Sequence, residues 1–223
     1  MVPMLSAIIA THESERALVP TLAALVPAVT TGLLREVVVA DAASTDATAE
    51  VAEIAGCRFI STSEPLGLRL KTAALQTRTP WLLFLRAGSV PEPGWMAATE
   101  RFMQAADMAD KPRAAVFRPP GAADLMRPGL AEILAMLRVA LGGATKPEQG
   151  LLIARRFYEA LGGHGGTDDA EQFADVLIRT NGATRRRGGQ LPRRRVLLGC
   201  VRTSHSGTLI AQCERNKNIL KGL

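Results

Sequence analysis

Three short segments place polar and charged side chains directly after apolar runs of strand length: Thr11-His12-Glu13, Asp41-Ala42-Ala43-Ser44-Thr45-Asp46 and Arg86-Ala87-Gly88. Ligands of an open parallel sheet collect beyond the carboxyl ends of its strands, so these segments are the candidate chemical sites. Asp41 closes the run Val37-Val38-Val39-Ala40. A carboxylate there can accept hydrogen bonds from a nucleotide base or ribose. The alternative is that Asp41 and Asp46 only cap the next helix. The chain has no G-x-G-x-x-G and no G-x-x-x-x-G-K-[ST], which leaves dinucleotide and P-loop sites without a basis. His12, His164 and His205 read as non-ligands.

The elements that must position these residues follow from periodicity. Apolar runs predict strands at Leu5 to Thr11, Glu36 to Asp41, Arg58 to Ser61, Trp81 to Leu85, Ala114 to Arg118, Gly150 to Ala154 and Val196 to Cys200. Helical spacing is expected from Ser14 to Leu25, with Leu18, Leu22 and Leu25 on one face. After Asp41, Ser44 or Thr45 reads as an N-cap, Val51 and Ile54 as a buried stripe and Gly56 as the stop. Further helices are expected at Leu68 to Gln76, Trp95 to Ala109, Asp124 to Leu141, Arg155 to Leu161 and Asp169 to Thr180. Strands alternating with helices imply an α/β fold with a mostly parallel open sheet flanked by helices. Met103, Met108, Met126 and Met136 read as core filler.

With 223 residues, 47% of them hydrophobic, the chain can bury a real core, which excludes a disordered class. Cys57, Cys200 and Cys213 are odd in number and far apart, so neither a disulfide frame nor a zinc site is expected and a reducing compartment fits. The longest uncharged stretch, Ala17 to Leu34, contains Pro20, Pro27 and Gly32 and reads as helix then loop rather than a membrane span. Residues 183 to 223 carry all the excess positive charge, with Arg185, Arg186, Arg187, Arg193, Arg194 and Arg195 at its centre. Such a run is either a solvated surface or a contact for anionic lipid or a phosphorylated substrate. The absence of interleaved aromatics disfavours single-stranded nucleic acid.

At its candidate site residues the sequence resembles the family 2 glycosyltransferases of GT-A fold, in particular the small stand-alone bacterial type. Ser6 to Thr11 followed by Glu13-Ser14-Glu15 is similar to that family's first strand and its Asn-Glu-Glu. Val37 to Thr48 resembles Val-Asp-Gly-Gly-Ser-Thr-Asp-Gly-Thr. Pro65 to Lys71 stands in place of a basic turn, and Trp81 to Leu85 with Pro91-Glu92-Pro93-Gly94-Trp95 resembles the fourth strand and the opening of the next helix. Pro147-Glu148-Gln149-Gly150, the segment Leu152 to Gly163, and Arg202-Thr203-Ser204 complete the resemblance.

The resemblance implies a nucleotide-diphospho-sugar transferase domain over residues 1–200, a basic tail over 201–223, and inverting transfer of a sugar to an unidentified acceptor hydroxyl. It implies that Asp41 holds the base, that Thr11, Glu13, Glu15 and Asp46 border the nucleotide, and that Arg69, Lys71 and Arg86 face the diphosphate. Glu148 and Gln149 would line the sugar or acceptor. Counting along Gly165-Gly166-Thr167-Asp168-Asp169-Ala170-Glu171 makes Glu171 or Asp169 the general base. The family holds Mg2+ or Mn2+ on Asp-x-Asp, but this chain has Arg86-Ala87-Gly88 there, so no metal ligand is assigned and no cofactor is firmly implied. The expected protein is cytoplasmic, and peripheral at the inner membrane face if the arginines meet lipid. A catalytically inactive nucleotide-binding or scaffold descendant, and a basic adaptor, are the alternatives.

Overall fold

A computed structural model describes residues 4–109, 114–118, 150–165 and 196–203. The expected helices at 124–141 and 169–180, and Glu148, Gln149, Asp169, Glu171 and the arginines of 185–195, lie outside the described residues. The elements run β1 (Leu5–Thr11), α1 (Glu15–Thr30), β2 (Leu34–Asp41), α2 (Thr48–Ile54), β3 (Arg58–Ser61), α3 (Leu66–Gln76), β4 (Trp81–Arg86), β5 (Ser89–Pro91), α4 (Trp95–Met108), β6 (Ala114–Arg118), β7 (Leu151–Ala154), α5 (Arg155–Ala160) and β8 (Val196–Thr203).

The strands form one sheet in the order β3-β2-β1-β4-β7-β6-β8-β5. β1 pairs in parallel with both β2 and β4, β2 with β3, and β6 with β8, whereas β7 runs antiparallel to β4 and β6. Every residue of β1 and β7 is buried, because both faces of the sheet centre are covered; this is why these strands read as continuous apolar runs rather than alternating ones. Right-handed crossovers from β1 to β2 to β3 put α1 and α2 on one face, and the return to β4 puts α3 on the other. The strand order therefore reverses between β1 and β4. A crevice at such a reversal is where open α/β sheets bind ligands.

Several boundaries differ from expectation. α1, which contains Pro20, continues past the expected end at Leu25 and through Pro27 to Thr30. Each proline removes an internal hydrogen bond, but burial of Leu18, Thr21, Leu25 and Ala28 along one face carries the helix on. α2 begins only at Thr48, since the Ser44 and Thr45 side chains are bonded elsewhere, and Ile54 is 79% exposed rather than part of a buried stripe. Gly56 stops that helix at a φ of 69°, a conformation that favours glycine. Met103 is buried, but Met108, the last residue of α4, is exposed. β5 is an unexpected three-residue edge strand, antiparallel to β8 with Ser89 opposite Thr203. β8 itself runs three residues past the boundary placed at residue 200.

Gly150, one residue before β7, sits at a φ of 65°; a Cβ there would lie 2.8 Å from a Leu85 methyl and 3.1 Å from the Phe84 carbonyl. Nearby, Arg155 ties α5 to the start of β4. It donates from Nε to the Thr79 carbonyl (2.7 Å), from one terminal nitrogen to the Ala74 carbonyl (3.0 Å) and from the other to the Thr77 hydroxyl.

Candidate functional site

The carboxyl ends of β1, β2 and β3 meet in register at Thr11, Asp41 and Ser61. Asp41 is fully buried. Its Oδ1 accepts from the Thr11 hydroxyl (2.8 Å) and the Ser44 hydroxyl (2.6 Å), and its Oδ2 from the Ser44 amide (2.7 Å) and the Ser61 hydroxyl (3.1 Å). Four donors fill the acceptor capacity of a carboxylate. Burial pushes its pKa up, but the Ser44 hydroxyl and amide, with the hydroxyls of Thr11 and Ser61, outweigh that and hold the carboxyl below its ordinary value.

The loops after β1 and β2 are then fastened to each other by reciprocal side-chain-to-backbone bonds. The Glu13 amide donates to the Ser44 hydroxyl (2.8 Å), and Glu13 Oε1 accepts from the Thr45 amide (2.8 Å) and hydroxyl (3.2 Å). The Ser14 amide donates to the Thr48 hydroxyl at 2.9 Å. Asp46 accepts the Glu15 amide on Oδ2 and the Thr48 amide on Oδ1, both at 3.0 Å, and Glu15 accepts the Ala47 amide at 3.3 Å. One carboxylate thereby caps the starts of both α1 and α2, where backbone donors lack internal partners. Desolvation raises the pKa of Asp46, but the Thr48 hydroxyl and the amides of Glu15 and Thr48 more than offset it, so this carboxyl too titrates below its ordinary value.

Backbone strain collects at the same place. Among the described residues the non-glycine positions with positive φ are Glu13 (46°) and Ala43 (55°), one in each loop. Ala43 occupies the second position of the Gly-Gly pair in the resembled signature, a position whose left-handed backbone explains a preference for glycine.

Arg69 is nearly buried beneath these ends. Its Nε donates to the Glu64 carbonyl (3.0 Å), and one terminal nitrogen donates to the carbonyls of Ala40 (2.8 Å) and Thr11 (3.2 Å). These donors bind the ends of β1 and β2 to the turn that opens α3. Lys71, two positions on and about 200° round the helix, lies on the opposite flank of the buried face.

Arg86, the last residue of β4, is in register with Ala10, so it stands on the alternate position to Thr11 and Asp41. The turn behind it is anchored on both sides. The Ala87 amide donates to the Ala10 carbonyl (3.0 Å), and the Gly88 amide reaches the carbonyl of Ala17 and the hydroxyl of Thr21, both at 2.9 Å. That turn offers no carboxylate. Among the described residues no three of His, Cys, Asp and Glu come together, so the residues present there do not fit a divalent cation.

Of the expected site residues, Thr11, Glu13, Glu15, Asp41, Asp46, Arg69 and Arg86 are thus gathered at one edge of the sheet. The sequence model of glycosyl transferase family 2 matches residues 6–126, more than half of the chain and all of this edge. The chain belongs to family 2 of the glycosyltransferases. No curated protein sequence matches it. Among solved structures, glucosyl-3-phosphoglycerate synthase from Mycobacterium tuberculosis, in complex with Mn2+, UDP and glucosyl-3-phosphoglycerate, superposes with a TM-score of 0.64 at 18% identity, covering 94% of this chain and 75% of that one. The same enzyme with Mn2+ and UDP-glucose gives 0.63 at 18%, covering 97% and 76%. A mycobacterial protein gives 0.62 at 19%, covering 92% and 69%. At these identities the likeness establishes the GT-A fold of this family 2 domain.

Three residues escaped sequence reasoning. Ser61 could have been found, because it ends the strand beside β2 as Asp41 ends its own. Arg155 carried no signal for its three backbone and hydroxyl partners. His164, read from the sequence only as a non-ligand, is buried: its Nδ1 lies 2.8 Å from the Tyr158 hydroxyl, which also accepts the His164 amide at 3.1 Å, and its ring meets Phe84 edge-on. Gly163 permits this approach, since a Cβ there would sit 3.2 Å from the Tyr158 ring.

Proposed function

We propose that this family 2 glycosyltransferase moves a sugar from a nucleoside-diphosphate donor to an acceptor hydroxyl, with the diphosphate held by protein cations rather than a divalent metal. The reading rests on the crevice between β1 and β4. There the interlocked loops after β1 and β2 stand beside the end of β4, whose last residue, Arg86, is a guanidinium where the resembled family has a metal-binding carboxylate.

In such a transfer the acceptor oxygen attacks the anomeric carbon, the anomeric carbon–phosphate oxygen bond breaks, and its electron pair leaves with the diphosphate. The growing charge calls for fixed cations, and the Arg86 fork suits phosphate oxygens. Lys71 would add charge from the second turn of α3. Arg69 would act by holding Thr11 and Ala40 in place. Asp41, Glu13, Glu15 and Asp46 would shape the base-binding edge through the loops they fasten. Asp169 or Glu171 would take the acceptor proton, with Glu148 and Gln149 toward the sugar or acceptor. The neighbouring synthase, captured with UDP-glucose and with a phosphoglycerate acceptor, makes UDP the first nucleotide to try.

Among the described residues no helix is long and apolar enough to cross a membrane. Contact of the arginines of 185–195 with an anionic membrane surface belongs to this proposal as well. The loss of every carboxylate at the Arg86 turn also favours a second reading, a nucleotide-binding protein without transferase activity.

Calorimetric titration with UDP, GDP and dTDP in chelator tests the donor site. Binding is expected without metal and should weaken at least about tenfold in Arg86→Ala. Strengthening of that order by magnesium or manganese refutes metal independence, and no binding at millimolar concentration refutes the donor site. Glu171→Gln or Asp169→Asn should cut turnover about a hundredfold with binding retained. Binding without turnover in the wild type selects the second reading.

A further inference from the structure

At the opposite edge of the sheet, where β1, β2 and β3 begin and α3 ends, lies a cavity of about 460 Å³ lined by Arg35, Arg58, Arg78, Glu36 and Gln76 among others. A seven-residue strand separates this edge from the Thr11 end by about 20 Å. The charges in it do not cancel. Glu36 accepts the Ser6 hydroxyl on Oε1 at 3.0 Å and meets Arg58 at 3.4 Å on its other oxygen, and Arg58 also donates to the Gln76 carbonyl at 2.9 Å. Glu36 and Arg58 thus neutralise each other. Arg35 and Arg78 are both exposed and make no ion pair with any described residue, leaving two guanidinium charges facing one concavity.

We propose that this pocket binds a small phosphomonoester. Two guanidinium forks match a dianionic phosphate in charge and in planar hydrogen-bond geometry, whereas a monocarboxylate would leave one charge unmet. The cavity is large enough for the phosphate and a short polar body. It is lined by no aromatic ring, so a nucleotide base would find no stacking platform there. The site is independent of the donor crevice and stands whether or not that crevice binds a nucleotide.

The test is calorimetric titration of the full chain with glycerol 3-phosphate, alone and with excess UDP, in the wild type and in the Arg35→Gln/Arg78→Gln double variant. Both side chains are exposed, so the variant should melt at the wild-type temperature. Saturable millimolar binding that UDP leaves unchanged, and that the double variant weakens at least about tenfold, is the expected result. No saturation by about 20 mM, displacement by UDP, or equal binding by the double variant would overturn the proposal. So would succinate binding as tightly as glycerol 3-phosphate. A hexaglutamate peptide that binds more tightly through the same two arginines would overturn it in favour of an acidic protein partner.

Discussion

Replacing Asp41 by Asn keeps the shape of the buried side chain and removes only its charge and one acceptor oxygen. The Ser44 amide cannot turn away, so the Asn carbonyl must take the Oδ2 position and its NH2 group must face the hydroxyls of Thr11 and Ser44. Both hydroxyls then have to rotate to accept, and their protons must find new partners in a buried place. The two remaining bonds, from Ser44 and Ser61, fall from charge-assisted to neutral strength. At about 0.5 to 1 kcal/mol for each of the four, the variant loses about 2 to 4 kcal/mol. Urea unfolding followed by the fluorescence of the buried Trp81 and Trp95 measures this directly. The pH dependence gives a second check. Because the folded carboxyl titrates below its ordinary value of 3.8, its stabilisation is full well above that pH and is lost as pH falls through the folded pKa. The gap between wild type and Asp41→Asn should be constant from neutral pH to about pH 5 and should close in stronger acid. A gap below about 0.5 kcal/mol at pH 7, or one that persists when Asp41 is protonated, would refute the four-donor account.

Ala43→Gly should raise stability by a few tenths of a kcal/mol to about 1 kcal/mol, because relief of the left-handed backbone exceeds the added entropy of the unfolded chain; the same urea titration reads it. Gly150→Ala should cost about 2 to 4 kcal/mol, combining the strain of a φ of 65° with a 2.8 Å approach to Leu85, and a lowered thermal midpoint would show it. Arg155→Met keeps the stem of the side chain but frees the carbonyls of Ala74 and Thr79; a loss of about 2 to 3 kcal/mol and faster amide exchange along β4 are expected.

The sheet was legible because its central strands are covered on both faces, and a run such as Trp81-Leu82-Leu83-Phe84-Leu85 can hardly be anything else. β5 was not, since three residues have no pattern of their own and exist as a strand only through pairing with β8, far along the chain. The same contrast holds at the site. Apolar runs ending at Thr11, Asp41 and Leu85 mark where the crevice must open, and the family match covers all three. A charge in the sequence does not say which way its side chain turns. Arg69 and Glu13 read as groups aimed at a ligand, yet both bond the chain's own backbone. α1 shows the opposite failure, because its prolines argue locally for a break that its buried face overrides.

The pairing of β5 with β8 sets an order on the ribosome. β1 to β4 and the helices between them have all been synthesised by Arg86, so their pairings with one another need nothing made later. Ser89–Pro91, three residues further on, must wait for Val201–Thr203, more than a hundred residues later in synthesis. Until then the turn behind Arg86 keeps its bonds to Ala10 of β1 and to Ala17 and Thr21 of α1 but lacks its edge pairing. The edge strand behind Arg86 is therefore the last to find its partner, and a chain cut short before residue 200 would contain every residue of the Asp41 cluster while lacking the partner of β5.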